Sequence, residues 1–494
     1  MQSNSGNMIV KKKHNLILVI LIFGTIYSLI SIVNHYHFRT YALDLGAYTN
    51  ALYDYTHFQW NDSTVFKNVG ENLLADHFDL YLILFSPFSL IFGTYTLLIL
   101  QIVFLLFGAI GIYKFFETSP QTARFSIHAT IYYCLFFGVF SALSFDYHSN
   151  VVAASLVPWF FYLIKKGKLA SSSLLLLAII VAKENTSLWL VFVCLGLAIQ
   201  YRKDSPIRNY LMLAALFCLI YFISITSFVM PAFSNGNTYP HFQYSILGEN
   251  FHEAIFHLLR HPFEMLKILF TNHTNNPHGD YVKLELHALV ILSGLPLLLK
   301  KPQFLLMLIP IYFQKLFHDN VSMWGIGGQY NIEFAPIMAI GIFMTISEFK
   351  NIKLKNILSV TVLSLTLFCT LRTMDNTIFP ISKSRIRLYQ ASHYTSDYNE
   401  SNLHRQFSLI PKDAIVSAQS AFVPQMALRD KIYQFPLIKD AEYVVYSMKE
   451  NSYPITGDEF IALVNQLENS NEWSIQYKDE DITILKRKCN PVQL

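Results

Sequence analysis

Charge is what this sequence has least of. Asp, Glu, Lys and Arg make up 14% of its 494 residues, against roughly 25% in an ordinary soluble domain. Hydrophobic residues make up 53%, and apolar runs long enough to cross a membrane recur up to residue 374. The composition therefore excludes an ordinary soluble protein and predicts an α-helical polytopic membrane protein. No nucleic-acid partner is expected.

Cysteine is also scarce. Four of the five cysteines lie in apolar runs and the fifth, Cys489, lies in the tail, a distribution that gives no sign of a disulfide framework. Internal repeats and low-complexity segments are not apparent. A cleavable signal peptide is not expected, because the first apolar run, residues 15–33, is long enough to remain as an anchor and no clear cleavage site follows it.

Basic residues set the predicted topology, because Lys and Arg are enriched in short cytoplasmic loops. With Lys11, Lys12 and Lys13 placed inside, basic loops and apolar runs alternate without a forced reversal, and 16 Lys and Arg fall on the inner side. About eleven spans result, and several of them are short. They are predicted at residues 15–33, 94–116, 126–145, 151–164, a pair of short helices within 169–200, 207–230, 284–299, 303–317, 331–346 and 357–373.

This topology divides the chain into three parts. Residues 1–14 are expected in the cytoplasm, residues 15–374 form the membrane domain, and residues 375–494 lie outside the membrane. The outer loops over 34–93 and 234–280 are expected to be amphipathic, and the outer side is rich in Asp and Glu. In the tail, "AIVSAQS", "EYVVYSM" and a hairpin in "EWSIQYKDEDITILKRK" predict strands, and "GDEFIALVNQLENS" predicts a helix. A small extracytoplasmic α/β domain is therefore expected.

Asp44 stands at the outer end of the first predicted span. The residues after it have the spacing of an amphipathic helix at the membrane surface. The apolar face of this helix is formed by Tyr48, Ala51, Leu52 and Tyr55. Its polar face is formed by Thr49, Asn50 and Asp54. Two roles for Asp44 stay open, the N-terminal cap of that helix and a functional carboxylate.

Two further outer segments are predicted to lie at the surface or half-inserted. Residues 75–93 are apolar but short and broken by proline, and they bring Asp76 and His77 back toward the bilayer. Residues 251–270 alternate apolar and polar positions with helical period and are interrupted at Pro262.

Three polar clusters interrupt the apolar runs. Asp146 and His148 lie in a tight outer turn, and Lys183 and Glu184 interrupt a run of about 30 apolar residues. Ionisable groups at membrane depth are candidates for function, although a solvated turn or a Lys183 that neutralises Glu184 would explain the same residues. The third cluster, the loop over 318–331, is rich in glycine, which allows a backbone to approach a ligand closely.

In this order and spacing, the motifs resemble a family of bacterial membrane proteins, domain of unknown function 2079. The resemblance covers about residues 15–450, and that family is similar to the GT-C superfamily of glycosyltransferases, which use polyprenyl-phosphate sugar donors. The matching motifs are "DLGAYTNALYD", "DHFDLYLILFSPF", "FDYHSNVVAASLVPWFFYL", "AKENTSLWL", "HLLRHPFEMLKILF", "SGLPLLLKKPQFLLMLIP" and "AIVSAQSAFVPQMALRDKIYQFP".

The resemblance implies roles for single residues. Asp44 occupies the place of a catalytic acidic residue after the first helix, and Lys183 that of a basic residue that contacts the donor phosphate. The resemblance also implies substrate binding by residues at other matching motif positions, without a more specific role for each. These residues are Asp76, His77, Asp146, His148 and Glu184. Where relatives tend to have a His-Tyr pair, this chain has Gln329 and Tyr330. A catalytic role for that histidine is therefore absent, and the resemblance implies substrate binding by Gln329 and Tyr330.

The expected function is transfer of a sugar from a polyprenyl-phosphate donor to an extracytoplasmic glycan, lipid or protein. A carboxylate such as Asp44 suits the deprotonation of the acceptor hydroxyl, and Lys183 suits the leaving phosphate. A cofactor is not firmly implied, although a divalent metal bridged by Asp44 and Asp146 is a variant. Partners are the lipid-linked donor and membrane lipids of the bacterial inner membrane. The alternatives are a transporter or flippase and a non-catalytic scaffold derived from such an enzyme.

Overall fold

The computed structural model describes residues 2–488, with side chains from residue 13 onward. The described part excludes Met1, residues 489–494 and the side chains of Lys11 and Lys12. What the sequence predicts for these parts, including Cys489, therefore lies outside the described residues. The chain forms two compact units. The helical unit comprises Met1–Leu29, Ala75–Asp79 and Gln101–Arg387, and the mixed unit comprises Ile30–Leu74, Leu80–Leu100 and Leu388–Leu494.

Helices dominate the secondary structure. In chain order they are α1 (Gln2–Tyr36), α2 (Ala47–Thr56), α3 (Tyr81–Phe85), α4 (Ser89–Phe92), α5 (Thr96–Phe116), α6 (Pro120–Ala123), α7 (Ser126–Leu135), α8 (Phe137–Leu143), α9 (Ser149–Lys165), α10 (Leu169–Ile180), α11 (Glu184–Gln200), α12 (Ser205–Ser224), α13 (Met230–Phe233), α14 (Phe251–Arg260), α15 (Pro262–Ile268), α16 (Val282–Leu292), α17 (Pro302–Leu316), α18 (Phe334–Glu348), α19 (Ile352–Asp375), α20 (Glu400–Leu409), α21 (Val423–Met426) and α22 (Gly457–Asn469). The surface segment predicted over 251–270 is thus two helices that meet at Pro262.

Four helical segments of the described chain are long and apolar enough to cross a membrane. They are Lys13–Tyr36, Tyr81–Phe116, Ser205–Phe233 and Ile352–Asp375, and α7 with α8 adds a fifth if this pair, bent by 45°, is one span. Only 28–39% of the most apolar window of each segment is buried, as expected for side chains that face lipid. Shorter apolar helices coincide with further predicted spans, and the count of eleven stays a prediction.

The predicted break at Lys183 is confirmed. Helix α10 ends at Ile180 and α11 begins at Glu184. Between them Lys183 is extended, with φ −163° and ψ 145°. The Thr186 hydroxyl lies within hydrogen-bond distance of the carbonyl oxygens of Lys183, at 2.6 Å, and of Ile179, at 3.1 Å, so one side chain links the two helix ends at the break.

Gly138 of α8 allows the loop over 318–331 to pack closely against this helix. A Cβ atom at Gly138 would lie 2.3 Å from the main-chain oxygen of Asn331, so only glycine permits this approach. The neighbouring Ser141 hydroxyl donates to the Ile326 carbonyl oxygen at 2.7 Å. The loop is therefore held against α8 and is not a mobile turn.

The mixed unit contains a five-stranded sheet. Its strands are β1 (Val416–Ala418), β2 (Ile432–Gln434), β3 (Tyr443–Tyr446), β4 (Trp473–Lys478) and β5 (Thr483–Arg487). Their order is β2-β1-β3-β5-β4, with β1 parallel to β2 and β3 and the remaining pairs antiparallel. The predicted strands, the β4–β5 hairpin and helix α22 are confirmed. Strand β2 was not predicted, because three residues give too short a pattern.

The first outer loop and the C-terminal residues share one core in the mixed unit. Asn50 Nδ2 donates to the main-chain oxygens of Ala427 at 3.2 Å and Arg429 at 2.7 Å. Gln434 N donates to the Val65 carbonyl oxygen at 2.5 Å. The tail predicted over 375–494 therefore does not pack alone, because its residues from Leu388 onward cluster with residues 30–74 and 80–100.

This shared core corrects the prediction for α2. The helix is present, but its polar face is buried: Thr49, Asn50 and Asp54 are at most 4% exposed. Asp54 Oδ2 accepts a hydrogen bond from Asn61 Nδ2 at 2.8 Å. Burial raises the pKa of Asp54 to about 7, opposed by the Asn61 hydrogen bond and reinforced by the nearby charge of Asp62.

A pH-dependent stability follows from Asp54. Since its pKa in the folded protein lies above the ordinary value, the folded state binds more protons between about pH 4 and pH 7, and stability falls as pH rises through this range. The Asp54→Asn amide keeps an acceptor for Asn61 and carries no charge. A shift of about three pKa units at about 1.4 kcal/mol per unit corresponds to about 4 kcal/mol, so we expect this variant to exceed wild type in stability by up to about 4 kcal/mol at pH 8 and by little at pH 4.

Thermal unfolding of wild type and variant across this pH range measures the difference. The matched control is Glu472→Gln, since Glu472 is an exposed carboxylate of the same unit, and it should leave the pH dependence unchanged. A stability difference for Asp54→Asn that is the same at pH 4 and pH 8 would contradict the raised pKa.

Candidate active site

A cavity of about 410 Å³ lies in the helical unit beside the break between α10 and α11. Four of the predicted site residues line it: His77, Lys183, Glu184 and Tyr330. They come from the outer loop before α3, from the helix break and from the glycine-rich loop. The fold thus brings together three motifs that lie far apart in the sequence.

Lys183 is the cation of this cavity. Its residue is 7% exposed, and within the described part of the chain its ammonium group has neither a hydrogen bond nor an ion pair. An ammonium group at a cavity that forms no hydrogen bond within the protein can donate to a ligand, so the site favours an anionic one. The N-terminus of α11, which directly follows Lys183, favours negative charge at the same place.

Glu184 has other partners than Lys183. Its Oε1 lies 3.2 Å from His77 Nδ1, and its Oε2 accepts from the Phe78 main-chain N at 3.2 Å. Lys183 acts on Glu184 through its nearby charge, which favours the ionised carboxylate, and not through a direct contact. The alternative in which Lys183 neutralises Glu184 therefore stays open.

Asp76 and His241 extend the polar wall next to His77. His241 Nε2 lies 3.2 Å from Asp76 Oδ1, and the imidazoles of His77 and His241 stack with centroids 4.2 Å apart. Burial acts to raise the pKa of Asp76, but His77 and His241 hold it below its usual range. Burial and the nearby Lys183 lower the pKa of His77. Burial opposes protonation of His241, yet its hydrogen bond to Asp76 raises its pKa overall.

Sequence reasoning missed several polar groups of the cavity. Glu333 is 8% exposed, and its Oε1 accepts from Asn150 Nδ2 at 2.9 Å. Its Oε2 has no hydrogen-bond partner among the described residues. Lys315 donates to the main-chain oxygens of Met323 and Gly325 at 2.7 and 2.9 Å. Glu333 and Lys315 were detectable, because each is the sole charged residue in a predicted span.

Apolar side chains also line the cavity, beside further polar ones such as Asn185, Gln314 and Asn320. Helices α11, α12, α14 and α17 and the segment before α14 supply aliphatic and aromatic side chains to it. These are Leu188, Phe222, Leu247, Phe251, Ala254, Ile255, Leu258, Ile311 and Phe313. A cavity that combines a lysine, hydrogen-bonding groups and many apolar side chains suits a ligand that has an anionic head and a hydrocarbon chain.

Asp146, His148 and Gln329 do not line this cavity. Asp146 is buried and pairs with Arg385, whose Nη2 lies 2.6 Å from Asp146 Oδ1, so its charge is compensated within the protein. The main-chain oxygen of Gln329 accepts from Asn150 Nδ2 at 3.2 Å. Arg385 and Tyr330 line a second cavity of about 230 Å³.

Asp44 belongs to the mixed unit and has an unusual backbone. Its φ is +67° and its ψ is −91°, close to the rare and strained classic γ-turn. The α-helix after it is Ala47–Thr56, and Gly46 before it already has helical dihedral angles. Asp44 is the last residue before them with non-helical angles, so its capping role stays a prediction. Strained residues of this kind concentrate at functional sites, which supports the second role that the sequence left open.

These features define a mainly helical, multi-pass membrane protein with a cavity that a lysine and many apolar side chains line. The chain belongs to the family described as "Predicted membrane protein (DUF2079)", whose model matches residues 34–485. Its fold is similar to the crystal structure of ArnT from Cupriavidus metallidurans bound to undecaprenyl phosphate. The identity is 10%, the TM-score is 0.53, and 97% of this chain and 98% of that chain are covered.

The apo structure of the same ArnT gives a similar result, with 11% identity, a TM-score of 0.51 and coverage of 98% of both chains. No functionally curated protein matches the sequence. The resemblance to the family and, at the level of the fold, to the GT-C superfamily is confirmed. At this identity the structural likeness defines the fold alone.

Proposed function

We propose that this protein transfers a sugar from a polyprenyl-phosphate donor to an acceptor hydroxyl on the outer side of the membrane. The observation that carries the proposal is Lys183, a residue 7% exposed whose ammonium group has no hydrogen bond within the described chain and which lines a cavity with many apolar side chains. The lipid phosphate bound to a protein of similar fold has the same two-part chemistry.

The ligand is placed by its chemistry. The phosphate lies at Lys183 and the N-terminus of α11, and the polyprenyl chain follows the apolar wall formed by residues such as Phe222, Phe251 and Leu258. Burial of each CH₂ group contributes about 0.8 kcal/mol, and a charged hydrogen bond to phosphate about 1.5–3 kcal/mol. Both parts of the donor therefore contribute to binding.

The reaction breaks the bond between the anomeric carbon and the phosphate oxygen and forms a bond to the acceptor oxygen. Polyprenyl phosphate leaves with the bonding electron pair, and Lys183 stabilises the charge that develops on it. The acceptor hydroxyl gives its proton to a carboxylate base. We assign this role to Asp44, on its position after the first span and its strained backbone. Glu333, which faces the cavity with one unpartnered oxygen, is the second candidate.

The side of the membrane on which we place the proposed site is inferred from the distribution of basic residues along the sequence. With the basic loops in the cytoplasm, the break at Lys183, the glycine-rich loop and the mixed unit lie outside, at the inner membrane of a bacterium. A flippase, or a scaffold without catalysis, would use the same cavity for lipid binding without bond cleavage, so measured turnover separates these alternatives from a transferase.

Lipid binding is the first test of the proposal. We expect purified full-length protein to bind undecaprenyl phosphate in detergent at least tenfold more tightly than undecaprenol, which has the same chain and no phosphate. Native mass spectrometry with both lipids present measures the ratio directly. Equal binding of the two lipids would contradict an anion site at Lys183 and leave only a site for hydrocarbon.

A further inference from the structure

The cluster of Asp76, His77 and His241 has the composition of a transition-metal site. One potential ligand atom from each of the three side chains lies within 4.8 Å of the other two. Asp76 and His241 are 165 residues apart in the sequence, so local chain geometry does not explain their proximity. The tertiary fold brings one carboxylate and two imidazoles to the edge of the cavity.

A second observation concerns the orientation of His77. Its Nδ1 lies 3.2 Å from the carboxylate of Glu184, which is itself 1% exposed and held by the Phe78 main-chain N. A carboxylate at this position accepts the Nδ1 proton and leaves Nε2 with a free lone pair. Metal-binding histidines have this arrangement, in which a carboxylate fixes the tautomer and raises the basicity of the ligand nitrogen.

We propose that Asp76, His77 and His241 bind a divalent transition-metal ion, Zn²⁺ in the first place. Two imidazole nitrogens and one carboxylate oxygen are ligands of the kind that Zn²⁺ accepts, whereas Mg²⁺ and Ca²⁺ prefer oxygen ligands throughout. The ion displaces the hydrogen bond in which His241 Nε2 and the Asp76 main-chain oxygen are 2.7 Å apart.

The three protein ligands leave part of the coordination sphere of the proposed metal ion open. Three protein ligands leave the fourth position of a tetrahedral site to water or a ligand oxygen. Since His77 and His241 both line the cavity that contains Lys183, a ligand in the cavity would lie beside the ion. The inference goes beyond the proposed transferase function and does not rest on it, since a metal site is tested by metal content.

The test uses full-length protein with a histidine-free affinity tag, stripped with a chelator, incubated with ZnCl₂ and desalted. We expect about one Zn²⁺ per chain by inductively coupled plasma mass spectrometry, and close to none for His77→Ala/His241→Ala. His278→Ala removes an exposed imidazole outside the cluster and should retain the ion. Glu184→Gln keeps the three ligands and should weaken Zn²⁺ binding by about 10–100-fold, as is typical when the partner of a ligand is lost.

Two results would overturn the metal site. One is a wild-type zinc content no higher than that of the double variant, and the other is a double variant that keeps its zinc. Should the double variant not fold, Co²⁺ binding to wild type decides: a visible spectrum typical of four-coordinate cobalt with nitrogen ligands supports the site, and a spectrum of hexaaqua cobalt excludes it.

Discussion

Lys183→Met should weaken binding of undecaprenyl phosphate by about 10–100-fold while the protein still folds. Methionine keeps the length of the stem and removes the charge. The loss corresponds to the 1.5–3 kcal/mol of a hydrogen bond to a charged group. Glu184 keeps its contacts with His77 and the Phe78 main-chain N when Lys183 is replaced, so we expect the variant to fold with a melting temperature near that of wild type.

Two further variants sharpen this experiment. Lys183→Arg keeps the charge and should retain most of the phosphate binding, and Lys267→Met removes an exposed lysine of α15 and should change nothing. Binding is measured by titration of the lipid in detergent, with undecaprenol as the uncharged reference. Unchanged phosphate affinity in a folded Lys183→Met protein would remove Lys183 from the donor site.

Asp44→Asn should lower turnover by roughly the 10²–10⁴-fold typical of a lost general base, with donor binding unchanged. Asparagine tolerates a positive φ better than most residues and has nearly the same shape, so the strained turn is kept and only the basicity is lost. The measurement is sugar transfer from a polyprenyl-phosphate donor by purified wild type and variant, beside a thermal melt of each.

Asp44→Gly separates chemistry from backbone strain. Glycine adopts a φ near +67° without a steric penalty, so this variant should fold at least as stably as Asp44→Asn and be just as inactive. If Asp44→Asn turns over at a near-normal rate, Asp44 has no catalytic role. Glu333 is then the next candidate and Glu333→Gln the next variant. Asp146 is a weaker choice, because Arg385 compensates its charge.

Much of the architecture follows from the sequence alone. The scarcity of charge and the length of the apolar runs define a multi-pass membrane protein, since a lipid phase excludes unpaired charges. The break at Lys183, the break at Pro262 and the hairpin at the end of the tail are also local features. Each depends on a few neighbouring residues, which a periodic pattern shows directly.

Which residues form the candidate site depends on contacts between segments that are distant in the sequence. Four residues predicted on motif position meet in one cavity, but Asp146 and His148 do not line it, and Glu333, Lys315 and His241 were not predicted. A sequence shows that a charged residue lies in an apolar run, and only the fold decides whether that charge finds a partner, as Asp146 does with Arg385, or remains alone, as Lys183 does.

The same distinction applies to the outer loop. The sequence by itself determined that residues 47–56 form a helix with an apolar and a polar face, because helical periodicity is local. Only the tertiary structure decided that the polar face is buried, because Asn50 finds its partners in Ala427 and Arg429. Solvent exposure is a property of the whole packed unit, and a polar side chain is as stable in a core as in water when its hydrogen bonds are satisfied there.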